Sequence, residues 1–217
     1  MGRRGEHSKA EIECMALEAA EAIIESEGYG GLSARKVAAA IGYTVGSLYF
    51  VFRNLDELIV RINGRTLDQL YALLIETLSD CRLPQQCIYS MGVAYLGFAA
   101  RHPHRWRMIF EHQPRDNSSS LEIHKEKIDR LYELMEMQLK ALAARSDEET
   151  TEAARALWSS LHGIAFMTIS RIPPVEGETW ANKLAKHLIK HYLAGLRTVE
   201  FSSVIKPQVG QVHGYPK

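Results

Sequence analysis

Apolar residues along this chain recur at spacings of three and four over long runs, and strand-like alternation with turn dipeptides is missing. The pattern predicts an all-α protein of about nine helices. The first spans Ser8 to Glu27, with Ile12, Met15, Ala16, Ala19, Ala22 and Ile23 on one stripe, and Gly28, Gly30 and Gly31 end it. Ser33 is placed to cap a second helix and Thr44 a third. Asn54, with Glu57 three residues on, has the form of a capping box and starts a fourth, running to about Leu78 with Gly64 as a weak point or kink. Pro84 opens a fifth helix that reaches about Arg101, and Pro103 opens a short aromatic one. Asp116 to Ser120 reads as a polar loop. Leu121 to about Ala144 forms a long charged helix with Ile128, Leu131, Leu134, Met135 and Leu139 on its apolar stripe. Asp147 begins a helix that becomes nearly all apolar or small before Pro173 and Pro174 end it, and a last one spans about Thr179 to Leu196. Ser202 to Lys217 reads as a loose tail, and no internal repeat is present.

Residues 33–53 form the most informative segment. Val37, Ala38 and Ile41, then Val45, Leu48, Val51 and Phe52, keep helical spacing on either side of Gly42, where a turn between crossed helices needs a residue free to take positive φ. Ala38 is small enough for close packing, and Leu48 is placed to be buried between the helices. This is a helix-turn-helix pattern, which lays its second helix in the DNA major groove. The recognition helix would run from about Val45 to Phe52. Thr44, Val45, Gly46 and Ser47 form its leading end: Gly46 permits close approach, Val45 suits a thymine methyl, and Ser47 suits several bases. Ser33, Thr44 and Tyr49 suit phosphates, Arg35 suits a phosphate or a base edge, and Phe50 and Arg53 complete the candidate surface. With no Arg, Asn or Gln among its leading residues, the helix offers few bidentate base contacts, which implies modest specificity with a sizeable shape component.

Composition changes this picture little. The chain has 217 residues, a hydrophobic content of 46% and a formal net charge of zero, so nucleic-acid binding would rest on local charge rather than on the sum. The segment 33–53 carries Arg35, Lys36 and Arg53 with no acidic residue, whereas residues 1–32 hold seven glutamates against Arg3, Arg4 and Lys9. Those glutamates are expected on a solvated face turned away from the duplex. Arg3 and Arg4 suit either a minor-groove arm or a merely solubilising terminus. Cys14, Cys81 and Cys87 form no CxxC pair, which argues against a disulfide framework and suits a reducing cytoplasm. No signal-peptide core and no run of 18 apolar residues occurs, so no membrane span is expected.

An N-terminal helix, the motif, and then YFVFRNLDELIVRIN together resemble the TetR family of transcriptional regulators. The carrying residues are Ser33, Arg35, Val37-Ala38, Gly42, Leu48-Tyr49 and Phe52, within about residues 8–68. WSSLHG at 158–163 further resembles the Trp-His-Gly signature of one subgroup of C-terminal domains in that family. One departure is Leu55, which stands where the family usually carries a phosphate-contacting Lys; Arg53 is the nearest substitute. The resemblance implies a DNA-binding domain at 8–68, a ligand-binding and dimerisation domain at 69–200, and the tail at 201–217. It implies a homodimer through the last two helices, a palindromic double-stranded operator, and a small, largely apolar effector that releases the DNA. The pocket residues it implies are Met91, Tyr95, Phe98, Trp106, Phe110, Trp158, His162 and Phe166.

Plainer readings stand beside these. His187 and His191 share a helix face at i, i+4 spacing, as metal ligands can, but Lys186 and Lys190 crowd it, so a solvated or dimer-facing pair is expected. His102, His104 and His112 read as surface loop histidines. His162 suits either a ligand contact or a satisfied core position. No phosphate loop, catalytic triad order or Glu-x-x-His motif is found, so no catalytic residue, cofactor or metal is expected. The rival classes are an all-helical enzyme or a protein-interaction module with an incidental helix-turn-helix.

Overall fold

A computed structural model describes residues 7–112, 119–142, 146–171 and 177–198. Among them are nine α-helices: α1 (Lys9–Glu27), α2 (Ala34–Ala40), α3 (Val45–Val51), α4 (Leu55–Ser79), α5 (Pro84–Arg101), α6 (Pro103–Glu111), α7 (Ser119–Leu142), α8 (Asp147–Ser170) and α9 (Gly177–Thr198), with a 3-10 turn at Tyr29–Gly31. The caps follow the local chemistry. Ser33 Oγ accepts the Lys36 N–H, Thr44 Oγ1 that of Ser47, and Asn54 Oδ1 that of Glu57. The Glu57 carboxylate does not close a box on Asn54; it accepts from the Arg53 N–H at 2.8 Å instead. Ser8 with Glu11 and Ser146 with Glu149 form reciprocal capping boxes.

Two apolar cores result. In the first, Leu48 and Phe52 are each 1% exposed and pack with Ile24, Val37, Leu58 and Ile62. The α1 stripe is rotated from the expected one: Ile12, Ala16, Leu17, Ala20 and Ile24 are buried, while Ala22 is exposed. The bulkier Leu17 and Ile24 take the core side because they remove more apolar area from water than alanine does. The second core joins α4, α5, α7, α8 and α9, with α5 packed against each of the others and against α6. A Cβ on Gly92 of α5 would meet Ile189 at 3.1 Å and Leu161 at 3.3 Å, so α5 lies tight against α8 and α9.

Helix α4 passes unbroken through Gly64 and serves both cores, Leu58, Ile59 and Ile62 in the first and Leu67, Leu70 and Leu74 in the second. The domain limit expected near residue 68 therefore falls inside a continuous helix of 25 residues. Cys81 and Cys87 are joined as a disulfide across the turn into α5, with their Cα atoms 5.4 Å apart. This corrects the reading of three unpaired thiols: the turn at Leu83-Pro84 brings two cysteines together at a spacing no CxxC search detects. The polar loop expected at 116–120 lies partly outside the described residues, and Ser119 and Ser120 are helical. Pro173, Pro174, Arg3, Arg4 and the tail from 201 lie outside them.

Two glycines hold positive φ, Gly28 at 74° and Gly42 at 75°. Gly42 has open space where a Cβ would point, so Gly42→Ala should cost only backbone strain, about 1–2 kcal/mol, and Gly42→Asn less. Gly28 combines its φ with ψ 176°, a region nearly closed to side chains, and a Cβ would meet His104 at 3.3 Å. Gly28→Ala should therefore be the more destabilising in urea denaturation, and the reverse order would contradict this account of the two turns.

Candidate nucleic-acid interface and interior pocket

The helix-turn-helix presents one continuous exposed surface. Arg35, Thr44, Gly46, Tyr49, Phe50 and Arg53 are exposed, Ser33, Val45 and Ser47 are half-buried, and Leu48, Val51 and Phe52 face inward. None of the nine residues singled out from the sequence is buried. Their hydrogen bonding differs, however. The Thr44 and Ser47 hydroxyls lie 3.0 Å apart and are partly spent on the cap. Arg53 Nε is 3.2 Å from the Glu57 carboxylate, and Lys36 is paired with Glu27. Arg35 forms no ion pair with any described residue, so its charge is the most available to a polyanion. Phe50 is 73% exposed, with the Lys9 ammonium 5.7 Å from its ring.

In the second core lies a pocket of about 280 Å³. Tyr95, Trp106, Phe110, Trp158 and His162 line it, together with Leu67, Leu70, Ile109, Ile128, Leu131, Tyr132 and Ser159. Of the eight expected pocket residues, Met91 and Phe98 do not line it: they share the Tyr95 face of α5 about one turn to either side along the helix, and sit in the packed core at 0% and 4% exposure. Phe166 is 48% exposed and meets the Arg107 guanidinium at 6.0 Å on the outside of α8. The lining residues not anticipated are Leu67 and Leu70 of α4, Ile128, Leu131 and Tyr132 of α7, Ile109 of α6 and Ser159 of α8; Ile128 and Leu131 had a signal in their apolar stripe, but nothing local says that it borders a cavity. His162 is stacked on Trp106 at 4.5 Å, and its Nδ1 lies 3.0 Å from the Tyr95 hydroxyl. Trp158 Nε1 donates to the Leu131 carbonyl at 3.3 Å, tying α8 to α7.

A polar joint connects the two halves. Arg105 on α6, with its side chain 7% exposed, donates to Glu25 of α1 at 2.7 Å and to Gln69 of α4 at 3.0 Å. His102 lies 2.9 Å from the same Glu25 carboxylate. Arg61 of α4 is paired with Glu13, and Arg65 with Glu21 at 3.0 Å, close enough for charge attraction though not aligned as a hydrogen bond. The glutamates of α1 are therefore not simply a solvated face: Glu13, Glu21 and Glu25 lie on one helical stripe against arginines. Burial still raises the Glu21 carboxyl above its ordinary range, in spite of Arg65 and Arg105. Further contacts are Asn63 Nδ2 donating to the Met108 carbonyl at 3.3 Å and His112 Nε2 at 2.7 Å from Asp56. His112, with 4% of its side chain exposed, is a buried joint residue rather than a surface histidine, because α6 ends against α4. His187 and His191 are exposed with rings 4.4 Å apart, and among the described residues no group of three or more His, Cys, Asp or Glu gathers around a metal position. No described helix is long and apolar enough to cross a membrane.

Residues 16–62 match the family described as bacterial regulatory proteins, tetR family, and residues 88–190 match the tetracyclin repressor-like C-terminal domain. No curated protein matches the chain. Among solved structures, a transcriptional regulator from Rhodococcus sp. Rha1 is similar at TM-score 0.72 and 19% identity, over 84% of this chain and 96% of that one. A TetR-family transcriptional regulator from Streptomyces coelicolor is similar at 0.62 and 19%, over 84% and 98%. AibR, solved with isovaleryl coenzyme A and operator DNA, is similar at 0.61 and 17%, over 83% and 97%. At these identities the likeness is one of fold.

Burial lowers the pKa of His162 and, together with His112, that of His124. The folded chain holds both imidazoles neutral, whereas in the unfolded chain they charge near about pH 6.5. As pH falls, the unfolded state takes up protons first, so stability complete above that pH is lost below it. The loss of Tm between about pH 7 and 5 should be smaller in His162→Phe than in the parent protein; equal losses would show that His162 carries none of it.

Proposed function

Because the chain belongs to the TetR family of transcriptional regulators, we propose that it is a homodimeric repressor released from a palindromic operator by a small molecule bound in the interior pocket. One observation carries the reading. Within the nine residues of α6, Trp106, Ile109 and Phe110 form part of the pocket wall, while Arg105 and Met108 are fixed to the DNA-binding half. A ligand pressing on the first set shifts the second, and a ligand that fits only one arrangement of the two recognition helices shifts the population to it. DNA release follows if that arrangement departs from the separation of about 34–36 Å that two successive major grooves require.

The DNA-facing residues in this reading are Ser33, Arg35, Thr44, Val45, Gly46, Ser47, Tyr49, Phe50 and Arg53. The dimer forms through α8 and α9: Ala156, Ser160 and Gly163, small enough for close helix packing, are exposed along one face of α8 with Met167, and His187 and His191 are exposed on α9. AibR, a structure of similar fold, was solved with both an acyl thioester and operator DNA, which supports the pairing of ligand and operator on this architecture. The role needs no bond-making chemistry, and no catalytic residue is assigned.

Duplexes that the protein selects from a random pool should be palindromic, with affinity falling steeply as salt rises. The variant Arg35→Ala with Tyr49→Ala, both at exposed positions, should lose at least about tenfold in affinity while melting like the parent; unchanged affinity rejects this DNA surface. In sedimentation at micromolar concentration the protein should be a dimer burying more than roughly 1,000 Å². Gly163→Glu, where a single chain has open space around the added side chain, should give monomers. A dimer that survives it rules out this face of α8.

A further inference from the structure

The pocket lining is mostly apolar and carries the His162 ring, the Tyr95, Tyr132 and Ser159 hydroxyls and the Trp106 N–H as its polar groups, of which His162 and Tyr95 are paired with each other. His162 is clamped by Trp106 in a stack at 4.5 Å and by Phe110 edge-on at 4.3 Å, with its Nδ1 3.0 Å from the Tyr95 oxygen. Burial raises the Tyr95 phenol far above its ordinary range, so its proton stays on. No other described group accepts from the Tyr95 hydroxyl, and a buried donor left unpaired is costly, so the phenol proton goes to His162 Nδ1. A neutral imidazole that accepts at Nδ1 carries its hydrogen on Nε2. No described residue accepts from Nε2. The lining holds no Asp, Glu, Lys or Arg.

We infer that this pocket takes a flat, uncharged one- or two-ring molecule carrying a single acceptor oxygen, a ketone or similar carbonyl, bound at His162 Nε2–H between the Trp106, Phe110, Tyr132 and Trp158 rings. The inference rests on the reading of the pocket as the effector site. The walls supply flat apolar area but no counter-charge, so a carboxylate or an ammonium would be desolvated without a partner. A volume of about 280 Å³ sits at the small end of ligand sites, which suits one or two rings and leaves no room for a nucleotide-bearing thioester. Two N–H donors near one spot also oppose a cation, against the attraction of the ring faces.

The test titrates the full-length protein with 1-tetralone, tetralin, 1-naphthoate, 1-naphthylmethylammonium and isovaleryl coenzyme A, following the fluorescence of Trp106 and Trp158. 1-Tetralone should bind about five- to tenfold tighter than tetralin, the net worth of one hydrogen bond, and the three charged probes more weakly than tetralin. His162→Phe should erase the advantage of the ketone while leaving tetralin within about twofold, and His162→Gln, which keeps an N–H donor, should restore part of it. Equal binding of ketone and hydrocarbon, preference for any charged probe, no saturable binding of either neutral probe, or an advantage that survives His162→Phe each overturns the inference. Operator affinity is measured separately in each case. Selective ketone binding with unchanged operator affinity upholds the ligand chemistry and rejects the coupling, whereas operator release by naphthoate does the opposite.

Discussion

A guanidinium buried at a helix junction must meet acceptors on every side, because an unpaired charge in that position is among the most costly things a fold can contain. Arg105 meets this constraint by drawing Glu25 from α1 and Gln69 from α4 around it. Three helices from two cores are thereby held in one relative geometry. The directionality matters more than the strength. Apolar packing of Met108 against the first core would tolerate sliding, but a planar fork with defined donors does not. The pocket wall on α6 and the first helix of the DNA-binding half, α1, both meet at that joint.

The local parts of this fold were legible in the sequence and the non-local parts were not. Ser33, Thr44, Asn54, Pro84 and Pro103 act on backbone groups within four residues, so their type and position were enough. Gly42 was legible for the same reason. The face of α1 was misjudged by about a quarter turn, since alanines at 16, 19 and 22 fit any face and only the partners across the core choose Leu17 and Ile24. The joint was invisible because its partners stand 80 residues apart, as Glu25 and Arg105 do. The i, i+4 pairs Glu21 with Glu25 and Arg61 with Arg65 were the only local signal. In the pocket, the family resemblance pointed to Tyr95, Trp106, Phe110, Trp158 and His162, all of which line it. Met91 and Phe98 look the same in sequence and share the Tyr95 face of α5, and only the extent of the cavity along that helix leaves them in the core. The disulfide between Cys81 and Cys87 depended on a turn geometry that spacing does not encode.

The pocket and the joint use opposite chemistry, and this separates their roles. The joint is dense in charge and satisfies nearly all of it internally, which in the proposed function suits it to transmit position. The pocket lining holds no charged residue, which in that reading suits it to select a neutral ligand. Arg105 and Trp106 are consecutive residues, and a ligand that displaces the indole moves the guanidinium through a single peptide unit. A rigid helix of nine residues is a short lever, but a joint with few alternative hydrogen-bonding arrangements responds to small shifts by switching rather than by bending.

The same economy bears on how DNA would be read. The leading end of α3 offers Thr44, Val45, Gly46 and Ser47, and two of these hydroxyls are turned toward each other in the cap. Arg53 and Lys36 are engaged with glutamates, which leaves Arg35, Tyr49 and Phe50 as the prominent groups. An exposed phenylalanine and a tyrosine contribute shape and apolar contact to thymine methyls, and a single available arginine contributes one strong polar contact. Discrimination among operators on such a surface comes from groove geometry and from the fixed spacing of two copies more than from a dense set of base hydrogen bonds. In the proposed dimer that places the burden of specificity on the relative orientation of the two recognition helices, the quantity that the α6 joint would help to set.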